Sequence, residues 1–161
     1  MFFLYNVIMR YEEGKIQGVV ITPLKKYKDN RGWLTELFRN DEIKEEIKPV
    51  MSYISMTYPG ITRGPHEHLN QTDLFAFITA RFKLTLWDNR KGNNTKMSIT
   101  TKEDEPILVE IPPGVVHSYT NISNIEGLVL NFPNKLFKGE NKKESIDEIR
   151  YEENVNSPFK L

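Results

Sequence analysis

From Val50 onward the chain is a succession of short apolar runs, VMSYISMTY, DLFAFIT, FKLTLWDN, KMSITT, PILVEIP, HSYTNIS and EGLVLNF. They are rich in β-branched and aromatic residues and separated by Pro, Gly, Asn and Asp, the composition of strands divided by turns. Strands this short and this closely spaced argue for an all-β sandwich or barrel, in which double layering or closure protects the strand edges. The 161 residues suffice for one domain with its own core and are too few for two ordinary ones. KGNNT, residues 91–95, has the composition of a hairpin tip, and no repeat at a solenoid period is visible.

The first third is more mixed. GVVITPL, residues 18–24, predicts a strand that stops at Pro23. In KYKDNRGWLTELFR, the turn formers Asp29, Asn30 and Gly32 precede a second strand running through Trp33, Thr35 and Leu37. DEIKEEIK, residues 41–48, predicts the best-defined helix, with Asp41 as its cap, Ile43 and Ile47 on one face and Pro49 as its stop. A second short helix, lying on the barrel, is expected within the charge-rich stretch 138–153, where Ile146 and Ile149 are three apart. MFFLYNVIMRYEEG at the start is apolar but about half the length of a membrane span. It lacks a positive start and a small-residue cleavage site, and reads as a strand or arm able to add an edge strand to a partner subunit.

The 22 basic and 22 acidic side chains cancel, which argues against general attraction to nucleic acid or to an anionic membrane. An anionic ligand must then be held by local arginines. The absence of cysteine excludes disulfides and thiolate chemistry and fits a reducing, cytoplasmic setting.

The chemistry concentrates in three histidines. GITRGPHEHLNQ, residues 60–71, holds His66 and His68, and PPGVVHSYTN holds His117. On a strand, H-x-H puts both imidazoles on one face and turns Glu67 the other way. His117, from a neighbouring strand, can enter the same cavity. Trp33 and Trp87 read as core or rim packing, Arg90 as the partner of Asp88 across a turn, and Glu36 can be an ordinary outward-facing strand residue.

The two histidine segments resemble the paired cupin motifs, the second matching P-x-G-x-x-H-x-x-x-N through Pro112, Gly114, His117 and Asn121. More narrowly, the chain is similar to the dTDP-4-dehydrorhamnose 3,5-epimerase family. The family's successive motifs appear as Asp29, Arg31, Gly32 and Glu36, then Arg63, Gly64 and His66, then Asp88 and Arg90, then Pro112, Gly114 and His117. The resemblance, from about Gly18 to Asn131, implies a cupin-type jelly-roll that forms a homodimer and acts on a nucleotide-diphosphate 4-keto sugar without a cofactor. It implies His66 as the base that removes the proton beside the ketone, with His68 and His117 assisting. Arg31 and Arg63 would hold the diphosphate and Glu36 the nucleotide, while Asp73, Tyr119 and Asn131 complete the expected substrate-binding set.

Some family positions differ. The lysine expected after the R-G-x-H histidine falls near Asp73, the proton-donating tyrosine at or next to Leu130, and Q-x-N reads Met51 and Tyr53. Tyr119, Tyr53 or His68 could replace the donor. Two alternatives stay open. One is a metal-dependent cupin using His66, His68 and His117 with Gln71 or Asp73, a donor set suited to Fe(II), Mn(II), Ni(II) or Zn(II). The other is a cupin that binds a nucleotide sugar without turning it over.

Overall fold

A computed structural model describes residues 11–161. The apolar stretch 1–10, expected as an arm, lies outside the described residues. In chain order the strands are β1 (Glu12–Glu13), β2 (Val20–Pro23), β3 (Lys26–Asp29), β4 (Gly32–Thr35), β5 (Tyr53–Thr57), β6 (Thr62–Glu67) and β7 (Asp73–Phe77). They continue as β8 (Phe82–Asp88), β9 (Thr95–Thr100), β10 (Ile107–Ile111), β11 (Val115–Asn121), β12 (Gly127–Asn131) and β13 (Ile149–Arg150).

Two sheets face each other as an open sandwich. The larger has the order β1-β9-β8-β11-β6-β13 and the smaller β2-β10-β7-β12-β5, while β3 and β4 form a separate hairpin. From β5 to β12 the chain passes back and forth between the sheets, apart from the β8–β9 hairpin within the larger one, the winding of a jelly roll, so the expected all-β cupin architecture holds without closure into a barrel. Alternation along each strand sends one set of side chains between the sheets. Phe75, Phe77, Phe82, Leu84, Leu86 and Val109 meet there, almost wholly buried. Trp87, as expected, is core, packed with Val116 and Phe159 on the outer face of the larger sheet.

The segment expected as the main helix is different. Only Glu45–Ile47 makes a 3-10 turn, because Lys44 is extended, and Asp41 does not cap it: its carboxylate accepts from Arg39 Nη2 at 2.7 Å. Two turns of helix have little stability of their own. The stretch instead contributes Ile43, which packs with Leu24 and Leu37 over Leu74, Ala76 and Phe132 on the outer face of the smaller sheet. The helix expected at 138–153 is also absent. Glu140–Lys142 is a single 3-10 turn, and β13 pairs antiparallel with β6, placing Arg150 opposite His66. Pairing satisfies backbone groups that the edge of β6 would otherwise expose, a stronger demand than the spacing of Ile146 and Ile149. Among the described residues no helix is long and apolar enough to cross a membrane.

Candidate active site

Strict alternation would turn Arg63 and His66, three residues apart, to opposite sides of β6. The pairing with β11 prevents this. His117 lies opposite His66 and Tyr119 opposite Arg63, so three steps on β6 match two on β11, a bulge at Gly64 and Pro65. Arg63, His66 and His68 therefore line one cleft. Gly64 sits at φ +79°, and a Cβ there would stand 2.5 Å from the carbonyl oxygen of His117, so no other residue fits without backbone movement. The R-G-x-H spacing is a way of bringing a guanidinium and an imidazole to the same face.

The three imidazoles converge as the H-x-H pattern implies. Ring centroids are 4.3 Å apart for His66 and His117, 5.6 Å for His66 and His68, and 6.1 Å for His68 and His117. Asp73, buried on β7 of the opposite sheet, reaches across the interior. Its Oδ2 is 3.2 Å from His68 Nε2 and 3.5 Å from His117 Nε2, and its Oδ1 accepts from Gln71 Nε2 at 2.8 Å and Asn131 Nδ2 at 2.7 Å. The same Asn131 amide donates to Tyr53 Oη at 2.8 Å. His117 Nδ1 donates to the Val115 carbonyl at 3.0 Å, which turns Nε2 into the cluster, where it is buried without a hydrogen-bond partner among the described residues.

The charges follow from this packing. Burial alone would raise the Asp73 carboxyl, but the His68 hydrogen bond, with His117, outweighs it and holds the group down to about 2. Burial opposes a charge on His68, yet the Asp73 bond and charge prevail and raise it. His66 is pushed down to about 2 by burial, then by His117 and His68, and burial likewise lowers His117. The cluster at neutral pH is thus an Asp73 carboxylate beside a His68 that favours its proton, with His66 and His117 neutral.

Above the cluster the cleft encloses about 1310 Å³. One wall is β5, where Ser55 Oγ lies 3.1 Å from Tyr119 Oη and buried Thr57 Oγ1 accepts from Arg63 Nε at 3.0 Å. Arg63 Nη2 also donates to the Met56 carbonyl at 2.8 Å. The other wall is the tail. The Asp147 carboxylate accepts from the backbone N–H of Leu69 and of Asn70, each at 2.9 Å, and its carbonyl accepts from His68 Nδ1. Glu148 Oε1 comes within 3.9 Å of His66 Nε2, and its Oε2 accepts from Arg150 Nη2 at 3.0 Å. Asp147 and Glu148 escaped sequence reasoning. They lie in a run of ordinary charges, and only the pairing of β13 with β6 brings them over the histidines.

Of the expected site residues, the fold gathers His66, His68, His117, Arg63, Asp73, Tyr119 and Asn131 in and beneath this cleft. Arg31 and Glu36 are elsewhere. Arg31, its side chain 86% exposed, is held by Asp29 at 2.6 Å at the tip of the hairpin. Glu36 lines a separate depression beside Arg39. Arg90 forms two 2.7 Å bonds to Asp88 and one of 2.8 Å to the Gln17 carbonyl, a structural pairing across the turn. Asn121 is structural too, its amide donating to the carbonyls of Thr57 and Ile125.

Residues 27–144 match the family described as the polysaccharide biosynthesis C-terminal domain. The chain is 35% identical over 133 residues to a Haloferax volcanii protein named "Probable low-salt glycan biosynthesis epimerase Agl13", covering 80% of this chain and 85% of that one. A dTDP sugar isomerase from Desulfovibrio desulfuricans G20 superposes with a TM-score of 0.75 at 19% identity, covering 87% of each chain. The dTDP-4-dehydrorhamnose 3,5-epimerase of Sulfolobus tokodaii superposes with a TM-score of 0.66 at 21% identity, covering 78% of this chain and 76% of that one. At these identities the two structures speak to the fold, which is the fold of the family read from the histidine motifs.

Proposed function

The chain belongs to the polysaccharide biosynthesis C-terminal domain family, and from that premise we propose that it is an epimerase acting beside the 4-keto group of a nucleotide-activated sugar in surface-polysaccharide biosynthesis. The observation that carries this reading is geometric: His66 lines a cleft of about 1310 Å³ with the Arg63 guanidinium on the same wall. The volume exceeds that of most drug-sized pockets and suits a nucleotide sugar. A hydrogen beside a ketone is acidic enough for a positioned imidazole to remove, provided the developing enolate oxygen meets hydrogen-bond donors or positive charge. In this reading His66 takes the proton, His68 and His117 assist by hydrogen bonding, and Arg63 holds the diphosphate with the fork that lysine lacks. Asp73 and Asn131 keep the histidine cluster in register, and Tyr119 shapes the cleft floor.

Arg31 and Glu36 do not line the cleft of their own protomer. A role for them in nucleotide binding requires a second copy to bring them, which suits a homodimer. The exposed apolar Trp33 and Leu34 on the same hairpin favour such burial. The setting consistent with the substrate class is the cytoplasm. The test is to incubate the protein with a panel of nucleotide-linked 4-keto-6-deoxy sugars and read product configuration by NMR. Inversion at a carbon beside the ketone is the expected result, and an unchanged panel contradicts the proposal.

A metal-dependent reading has one specific observation in its favour. His66, His68 and His117 offer nitrogen atoms that all lie within 4.8 Å of one another, and among the described residues His117 Nε2 has no hydrogen-bond partner. Three imidazoles beside the Asp73 carboxylate fit a divalent transition metal. Bound there, such an ion would polarise the ketone as a Lewis acid. Elemental analysis of protein reloaded after chelation decides it: one equivalent per chain supports the metal reading, and none rejects it.

A further inference from the structure

Inversion beside a ketone needs two groups on opposite sides of the carbon, one to remove a proton and one to deliver a proton. His66 belongs to β6 of the larger sheet. Across the cleft stands β5, an edge strand of the smaller sheet, whose inward row is Tyr53, Ser55 and Thr57. Thr57 is buried and taken by Arg63, and Ser55 is engaged with Tyr119 and, at 3.4 Å, with the Val129 carbonyl. Tyr53 is placed differently. Asn131 must turn its amide N–H groups toward the Asp73 carboxylate, which can only accept, and the same nitrogen donates to Tyr53 Oη. The tyrosine oxygen is therefore an acceptor in that bond, and among the described residues nothing accepts its own hydrogen. One amide thus fixes the phenol in register with the histidine cluster.

The other hydroxyl or imidazole donors in the cleft are less suited. Tyr119 is 5% exposed, set edge-on to Phe75, Phe77 and Phe82, with its oxygen against Ser55. His68 has both nitrogens engaged, Nδ1 on the Asp147 carbonyl and Nε2 on Asp73. Tyr53, by contrast, is 45% exposed and lines the cleft.

We propose that Tyr53 is the catalytic proton donor that protonates the enolate on the face opposite His66, an assignment that rests on the epimerase reading. In the first step the C–H bond beside the ketone breaks, its proton goes to His66 Nε2, and the electron pair moves onto the carbonyl oxygen. In the second, the enolate re-forms the ketone as the carbon takes the Tyr53 Oη proton from the other side. The phenolate recovers a proton from solvent through the cleft mouth, and His66 releases its proton the same way. Burial raises the Tyr53 phenol, so it holds its proton until the strongly basic enolate forms.

Tyr53→Phe separates the two steps. In D2O, with a nucleotide-linked 4-keto sugar that the unaltered protein inverts, the variant should lose inversion by about 100-fold or more, the usual worth of a positioned acid. Solvent-deuterium exchange should stay within a few-fold, because His66 still removes the proton and returns deuterium to the same face. Inversion within about 3-fold of the unaltered protein overturns the assignment, and so does an equal loss of exchange and inversion, whether or not binding survives. Absence of exchange in the unaltered protein on every sugar tried overturns the epimerase reading and this assignment with it.

Discussion

The histidine wall of β6 and β11 and the β3–β4 hairpin both carry residues that their motifs single out, and the fold handles them in opposite ways. On the wall, strands paired on both sides, a bulge at Gly64 and Pro65 and a carboxylate from the facing sheet fix His66, His68, His117 and Arg63 to one cleft. On the hairpin, two strands stand apart from both sheets, Leu34 is 62% exposed, and among the described residues Arg31 is tied only to Asp29. Motif residues on strands paired within the sandwich are positioned by the chain itself. Those on a detached hairpin are positioned by whatever the hairpin docks against.

If that contrast is right, the wall governs turnover and stability while the hairpin governs binding alone. His66→Ala should lower kcat by roughly 10²–10⁴-fold with little change in KM, read in steady-state assays. Asp73→Ala removes the carboxylate from beside His68 and should cost about 3–5 kcal/mol in urea unfolding, the usual price of breaking a buried charged pair. Gly64→Ala puts a methyl group against the His117 carbonyl at φ +79° and should lower stability by roughly 2 kcal/mol or more, with activity falling in parallel.

The pH dependence is smaller. His66 and His117 are held neutral in the fold below their ordinary value of 6.5, so acidification protonates the unfolded chain first, and stability present above pH 6.5 is lost as pH falls. His68, raised, works the other way, its contribution fading as pH rises through its folded value. Asp73 gives way only as pH approaches about 2. Metal-free protein should therefore lose on the order of 1 kcal/mol per pH unit on acidification from pH 6.5 to 4.5, less steeply in His66→Gln. The smallest effect belongs to the hairpin. Arg31→Ala should leave the melting temperature unchanged and raise KM by roughly three- to tenfold, the worth of one ordinary hydrogen bond at an exposed site. A kcat loss on the scale of His66→Ala would erase the contrast.

How much of this was legible in the sequence depends on what each feature needs. The strands β5 and β7 to β12 were legible because Pro, Gly, Asn and Asp bracket short apolar runs, whereas β6 was read only from its H-x-H pattern, whose shared face for His66 and His68 follows because strand alternation is local. Asp73 was legible as a departure from the family pattern and as a candidate ligand beside the histidines, but not as the carboxylate that bonds His68 and faces His117 from the other sheet. The bulge that turns Arg63 inward is a property of register with β11, invisible along β6 alone. Residues 41–48 look like a helix by spacing, yet the segment is anchored by Ile43 in the cluster with Phe132 and Ala76, and tertiary contact overrides a weak local preference. The tail misled for a related reason: the open edge of β6, not the tail's own pattern, makes Ile149–Arg150 a strand and brings Glu148 to His66.

The most direct measurement is NMR of deuterium incorporation at the carbon beside the ketone of a nucleotide-linked 4-keto sugar in D2O, with the unaltered protein and His66→Ala run side by side. Incorporation by the first and only background by the second is the result expected of a histidine wall that removes the proton. Undiminished incorporation in His66→Ala, or none in the unaltered protein across the panel, would contradict it.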